Sequence, residues 1–413
     1  MTRACYNADV RTVAFVAPFP LETSMRFARA AASLPGVRLV GLMQKQPRGR
    51  DLGLFSEIIQ LQDGLDARQI VEGAAHARRK YGGIHRIIGV LEPIQEQLGL
   101  ARKALGVPGT RPETAELFRE KAAMKDELRK HGLPCARHRL VTSYDDAVAF
   151  AGEIGFPLIL KPPAGMACKA TWRIRSAGEL KGALAGMHAS RETPVLAEEF
   201  LIGHEYSFDA ITIGGQVRFQ SFSRYYPGPL EVMETPWIQW VCVLPRVIDG
   251  PEFAAPKEIG KRAIAALGLD TGFTHMEWFR RNDGTLAIGE IAARPPGANI
   301  VRMNGFAHDT DMYRAWARAE IDGAFDGPFE RKYAVGCAFL RGPGGGRVSR
   351  ITGVEKANER IGHLVVESKL PTVGTPKSDS YEGDGHVIVR HPDTEVVKAA
   401  MTTIIETVQI HYS

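Results

Sequence analysis

Two carboxylates and a cation lie close together in the segment 274–297, THMEWFRRNDGTLAIGEIAARPPG, and make it the part of the chain best equipped for chemistry. The pattern is that of two adjacent strands joined by a tight turn at Asn282-Asp283-Gly284. Glu277 falls on the first strand, Glu290 on the second, and Arg294 just beyond it. A carboxylate on each of two neighbouring strands, with a cation after the second, can hold a divalent ion and a transferring phosphoryl group at one place. An ordinary surface hairpin with a structural ion pair fits the same residues. Met276, Trp278, Phe279, Ile288 and Ile291 flank the two acids. Strands this apolar should be largely buried, and buried carboxylates need a cation or hydrogen-bond donors.

A second set of residues precedes the hairpin. Lys121 lies in a helical pattern, and Lys161 is the last residue of the strand FPLILK. The loop that follows, PPAGMACKA, carries Lys169 among small residues, which let backbone N–H groups approach phosphate oxygens. Solvated surface lysines are the plainer alternative for each. In VLAEEFLIGHE (195–205), two acids end a strand before Phe200, Leu201, Gly203 and Glu205. Backbone groups at such a hinge can read an adenine edge, and a carboxylate a few residues on can accept from ribose hydroxyls; an acidic turn is the alternative. His204 reads as an exposed turn histidine, and His275 as a candidate base. Trp237, Trp240 and Met303 read as core residues that could also line a pocket.

These residues must be positioned by more than one domain, because 413 residues exceed a single compact unit. Strand patterns at 12–18, 37–43 and 86–91 alternate with helical patterns at 22–34 and 69–81, which predicts a small open parallel α/β domain. It lacks GxGxxG after the first strand, so the dinucleotide fingerprint is absent. Glu92 ends the strand RIIGVL, where open α/β sheets bind ligands. It reads as a loop or cap residue, with a substrate contact as the alternative. A helix is expected over 114–131 and a mobile loop over 225–236, and Gly214-Gly215 suits a hairpin turn. The tail from Tyr333 holds short strands, the glycine cluster 342–346 and a final helix near 394–406.

Hydrophobic content of 44%, charged content of 24% and a net charge of +5 describe an ordinary globular protein with a bias that suits an anionic ligand. No like-charge run or basic–aromatic interleaving points to nucleic acid, and apolar runs are only strand-sized, so no membrane span is expected. Cys5, Cys135, Cys168, Cys242 and Cys337 are scattered, as free thiols of a reducing compartment would be. The N-terminus lacks the apolar core of a signal peptide. A cytoplasmic location is the expectation.

Taken in order, EKAAMKDELRKHGLP, FPLILKPPAGMACKA, LAEEFLIGHEYSFD and HMEWFRRNDGTLAIGEIAARPPG resemble the ATP-grasp superfamily over roughly 115–325. The resemblance implies an ATP-grasp fold of α/β (α+β) class. An open parallel α/β domain (1–112) would precede an ATP-grasp domain (113–327, subdomains 113–196 and 197–327), with a small β-rich C-terminal unit at 328–413. It assigns Lys121, Lys161 and Lys169 to ATP phosphates, Glu198, Phe200 and Leu201 to the adenine hinge, and Glu205 to the ribose. Glu277 and Glu290 become ligands of Mg²⁺, or of Mn²⁺ in its place, and Arg294 the cation that steadies acyl-phosphate oxygens. Where many members carry Asn two residues after the second metal Glu, this chain has Ala292. One metal oxygen must then come from water or from both oxygens of Glu290.

Within the superfamily the pattern is most similar to bacterial L-amino-acid ligases. The implied reaction activates a carboxylate as an acyl phosphate and passes it to an amine. No protein nucleophile is needed, in keeping with the lack of a Ser/His or Cys/His signature. The expected partners are a small-molecule carboxylate and amine, with a homodimer as one form of assembly. A biotin-carboxylase-like enzyme and a non-catalytic nucleotide-binding module are the alternatives.

Overall fold

The computed structural model describes residues 10–165, 170–235 and 237–413. Lys169, Cys5 and Cys168 lie outside them; Cys135, Cys242 and Cys337 are free thiols.

The N-terminal region is an all-parallel sheet in the order Glu57–Gln60, Val37–Met43, Arg11–Val16, Arg86–Ile88. Its two central strands are near-continuous apolar runs, as strands covered by helices on both faces must be. The Ala67–Tyr81 helix is capped by the Asp66 side chain and stopped by Gly82 in the left-handed conformation (φ 76°). The Glu57–Gln60 strand gave little sequence signal, being only four residues long. After Arg86–Ile88 the chain turns sharply through Glu92–Ile94, which leaves Glu92 at the carboxyl edge of the sheet.

Next comes an antiparallel sheet of four strands, His138–Val141, Val195–Glu199, Leu158–Lys161 and Trp172–Ile174, in that spatial order. The helices Tyr144–Ile154 and Ala177–Gly186 share one apolar cluster with it. An eight-stranded antiparallel sheet follows. Its order is Leu286–Ala292, Gly272–Arg281, Gly203–Ile213, Gln216–Tyr226, Trp240–Leu244, Ala334–Leu340, Gly385–His391, Val365–Lys369. Gly214 and Gly215, at φ 58° and 71°, make the primed turn between its third and fourth strands. The β-rich C-terminal region is therefore built onto the edge of this sheet. The separate pair Val348–Thr352 and Gln409–Tyr412 and the Thr394–Thr407 helix complete it. We propose domain divisions near 112/113, 196/197 and 327/328; the large sheet runs across the last of these.

Two local expectations change. The helix expected over 114–131 is two helices, Pro112–Arg119 and Lys121–Lys130, broken at Glu120 (φ −90°, ψ 107°). The Glu120 side chain accepts from the Ala123 N–H, an N-cap that starts the second helix and puts Lys121 in its first turn. Much of the loop expected over 225–236 has regular structure. Tyr225 and Tyr226 belong to the Gln216–Tyr226 strand, and a short helix, Pro229–Glu234, begins with proline where no N–H is needed.

Candidate active site

In the hairpin, Glu277 and Glu290 stand directly opposite one another. The register then shifts: Trp278 pairs with Ile288, which leaves Gly289 as an extra residue. This bulge decides the site. In a regular strand Ile288 and Glu290 would share a face. With Gly289 inserted, Ile288 turns into the core beside Trp278, and Glu290 turns with Glu277 toward the other face. The neighbouring strand adds Ser207 opposite Glu277, Asp209 opposite His275 and Glu205 opposite Phe279 on that face.

Three lysines approach the carboxylates. Lys121 is 4% exposed; its Nζ donates to Gly165 O at 2.7 Å and lies 3.1 Å from Glu290 Oε1. Lys125, one turn on and 0% exposed, donates to Gly289 O at 2.6 Å and lies 2.7 Å from Glu198 Oε1. Lys161 Nζ lies 2.7 Å from the other Glu198 oxygen. Burial pushes the Glu198 carboxyl up, but Lys125 and Lys161 outweigh it and bring it down to about 2. Burial likewise opposes ionisation of Glu290, and Lys121, Lys161 and Lys125 together hold it below the ordinary carboxylate range. Burial lowers Lys125 against the pull of Glu198. Glu205 goes the other way: burial and the charge of Glu277 push its carboxyl well up. Glu205 therefore holds its proton more tightly beside Glu277, and a cation placed between the two acids would relieve that pressure.

His275 is turned inward. Its Nδ1 is 2.6 Å from Asp209 Oδ1, and its Nε2 is 3.7 Å from Glu277 Oε1. Ser207 donates to the second Asp209 oxygen at 2.8 Å. Burial would lower the imidazole, yet Asp209 and Glu277 raise it to about 9. A protonated ring locked to Asp209 orients Glu277 and is poorly suited to take a proton.

Arg294 donates from Nε and Nη2 to Glu92 Oε2 at 3.1 and 3.0 Å, and Arg119 donates to Glu92 Oε1 at 3.0 Å. Glu92 is buried, and it links the N-terminal sheet to the hairpin's cation. The guanidinium of Arg173 lies 4.4 Å above the Phe200 ring.

Most of these groups, though not Lys125, Ser207, Asp209 or Arg119, line one cavity of about 570 Å³, a size usual for small-molecule sites. Lys121, Lys161, Glu277, Glu290 and Arg294 line it, and so do Glu198, Phe200, Leu201 and Glu205; Glu92 closes one side. The Glu198 carboxylate is committed to the two lysines. Trp240 lines the cavity, whereas Trp237 is 60% exposed and Met303 lies in the core, neither lining it. Sequence reasoning passed over Lys125, whose i+4 spacing from Lys121 was a usable signal, and Asp209, which alternates with Glu205. Arg119, Arg173 and Tyr381 carried none. A two-carboxylate site suits Mg²⁺, which binds through one or two carboxylates plus phosphate oxygens. Among the described residues no group of three or more His, Cys, Asp or Glu forms a metal cluster. No described helix is long and apolar enough to cross a membrane.

The chain is similar to known proteins in sequence and in fold. Residues 126–307 match the ATP-grasp domain family. The L-arginine-specific L-amino acid ligase of Bacillus subtilis is 29% identical over 229 residues, 54% of this chain and 54% of that protein. The aligned stretch is thus about half of that relative's length. The crystal structure of L-amino acid ligase from Bacillus licheniformis superposes with a TM-score of 0.78 at 19% identity, covering 98% of this chain and 99% of that one. The biotin carboxylase domain of the Hydrogenobacter thermophilus 2-oxoglutarate carboxylase, solved with MgADP, ADP and bicarbonate, gives a TM-score of 0.67 at 16% identity, covering 97% and 90%. The stretch 126–307 is thus similar to ATP-grasp domains, and the chain resembles L-amino acid ligases in sequence over about half its length and in fold over nearly all of it.

Proposed function

We propose that this chain is an ATP- and Mg²⁺-dependent carboxylate–amine ligase that joins amino-acid-like substrates through an acyl phosphate and releases ADP. The observation that carries this reading is the pairing of Glu277 with Glu290 across one hairpin, on a cavity face shared with Lys121, Lys161 and Arg294. Glu277 and Glu290 would hold Mg²⁺ or Mn²⁺. Once bound, that ion neutralises and polarises phosphate oxygens. Ala292 offers no side-chain oxygen, so both oxygens of Glu290 or a water complete the set.

Lys121 and Lys161, with Lys169 from the adjoining loop, are assigned to the phosphates. Nucleotide entry would exchange the Lys121–Glu290 pair for a lysine–phosphate pair, leaving Glu290 ionised for the metal. The strand end at Glu198, Phe200 and Leu201 is assigned to adenine, and Glu205 to the ribose. In the first step a substrate carboxylate oxygen bonds to the γ-phosphorus while the bond to the β-phosphate oxygen breaks, giving ADP. In the second, an amine nitrogen bonds to the acyl carbon, phosphate leaves, and the nitrogen loses a proton. Arg294 offsets the charge on the transferring group, and Glu92 holds its guanidinium in place. The protein's contribution is positioning and charge, which suits a site without a nucleophile.

The substrates would be small molecules in the cytoplasm, and a homodimer is compatible with the reading. ADP release separates the alternatives when measured with single amino acids, paired amino acids, or bicarbonate plus biotin. Stimulation by amino acids supports a ligase. Stimulation by bicarbonate and biotin alone would make the chain a carboxylase, and a flat response to every addition would make it a binding module.

A further inference from the structure

Beside the Glu277/Glu290 pair the cavity changes character. Tyr225, Trp240, Ala298, Ile300 and Tyr381 line it there, and all five belong to one apolar cluster. The walls are rigid. Trp240 stacks on Phe339 at 4.8 Å, meets Tyr381 edge-on at 5.0 Å and Tyr225 at 5.4 Å, and its Nε1 donates to Pro227 O at 3.0 Å. The indole N–H is therefore occupied, and the ring presents only carbon to the space in front of it. The box and the groups Glu277, Glu290 and Arg294 line the same cavity.

Two further acids lie near the box, in different states. Glu382 accepts from the Ala298 N–H at 3.0 Å, and burial raises its carboxyl. Glu231, on the Pro229–Glu234 helix, is exposed and lines the same cavity. A hydrocarbon side chain placed among these rings buries apolar surface against them and needs no counter-charge there.

We propose that the carboxylate substrate of this site carries a bulky apolar side chain, aromatic or branched aliphatic, seated against Trp240, Tyr225 and Tyr381 with its carboxyl toward Arg294. The proposal rests on the ligase reading above. It separates this chain from the Bacillus subtilis relative, whose name records arginine specificity.

The test is ADP release by the full chain with Mg²⁺, using phenylalanine, leucine, arginine, lysine, aspartate or glycine as the acid and alanine as a constant amine. Phenylalanine and leucine should exceed arginine in kcat/KM by about 10–100-fold, the scale of side-chain discrimination in an apolar pocket. Tyr381→Asp, checked for an unchanged melting temperature and unchanged ADP binding, should narrow that gap by raising the response to arginine and lowering that to phenylalanine. A wild-type preference for arginine, lysine or aspartate overturns the proposal while the ligase reading stands. No response to any amino acid overturns both. If Tyr381→Asp does not fold, the wild-type panel decides.

Discussion

The ammonium of Lys125 lies 2.7 Å from the Glu198 carboxylate, with no exposed surface on the lysine and 5% on the glutamate. Lys161 holds the second oxygen of the same carboxylate, so one anion offsets two cations at the root of the cavity. Breaking a buried pair costs about 3–5 kcal/mol, because the surviving charges are left without a counter-ion.

Glu198→Gln should therefore destabilise the fold by an amount of that order at neutral pH. The folded Glu198 carboxyl sits at about 2 against an ordinary 4.5. A depressed carboxyl contributes stability that is present above pH 4.5 and is lost as pH falls toward 2. Urea midpoints of wild type and variant, compared from pH 7 downward, should converge below pH 4.5. A gap that stays constant through that window would show that the charge of Glu198 is irrelevant.

Loss of either hairpin carboxylate should separate nucleotide from metal. Glu290→Gln is expected to abolish Mg²⁺-dependent ADP formation with the fold retained. Wild type should melt higher with MgADP than with ADP in a chelator, and the variant should show no such difference. Normal turnover in Glu290→Gln would remove the metal assignment.

Arg294→Ala should lower kcat by about 10²–10³ and change the KM for ATP little, as expected of a cation that acts on transferring charge. Because Arg294 shares Glu92 with Arg119, Glu92→Gln should produce a smaller fall in the same direction. A rise in the KM for ATP at constant kcat would instead make Arg294 a ground-state nucleotide contact.

Gly203 begins the strand that leaves the Phe200–Leu201 hinge, and a Cβ there would stand 2.2 Å from the Arg280 carbonyl oxygen. Backbone cannot give way as a flexible side chain can. Gly203→Ala is expected to cost roughly 1–3 kcal/mol, read as a lower melting temperature. Gly214→Ala, with open space around its Cβ, provides the comparison for a glycine lost at positive φ alone.

Much of the architecture was legible from local pattern. Val37–Met43 was read at its observed limits, Gly214-Gly215 was read as a turn, and the hairpin around Asn282–Gly284 stands where its polar interruption placed it. The break at Glu120 was not legible, since the amphipathic pattern continues through it and only a side-chain cap divides the helices. The order of the Pro229–Glu234 helix was missed for a related reason: Pro and Gly mark turns and helix starts alike.

Residue types and spacing were enough to nominate Glu277, Glu290 and Arg294, because side-chain direction along one element follows from local geometry, and the ATP-grasp resemblance added Lys121 and Lys161. Which groups meet was decided only by the folded chain. The Gly289 bulge turned Glu290 to the side of Glu277, helix packing brought Lys125 to Glu198, and sheet docking set Glu92 against Arg119 and Arg294. Tyr381 reached Trp240 from a distant segment in the same way. Register, bulges and long-range contacts are settled by the burial of the whole core at once, and no window of sequence contains that sum.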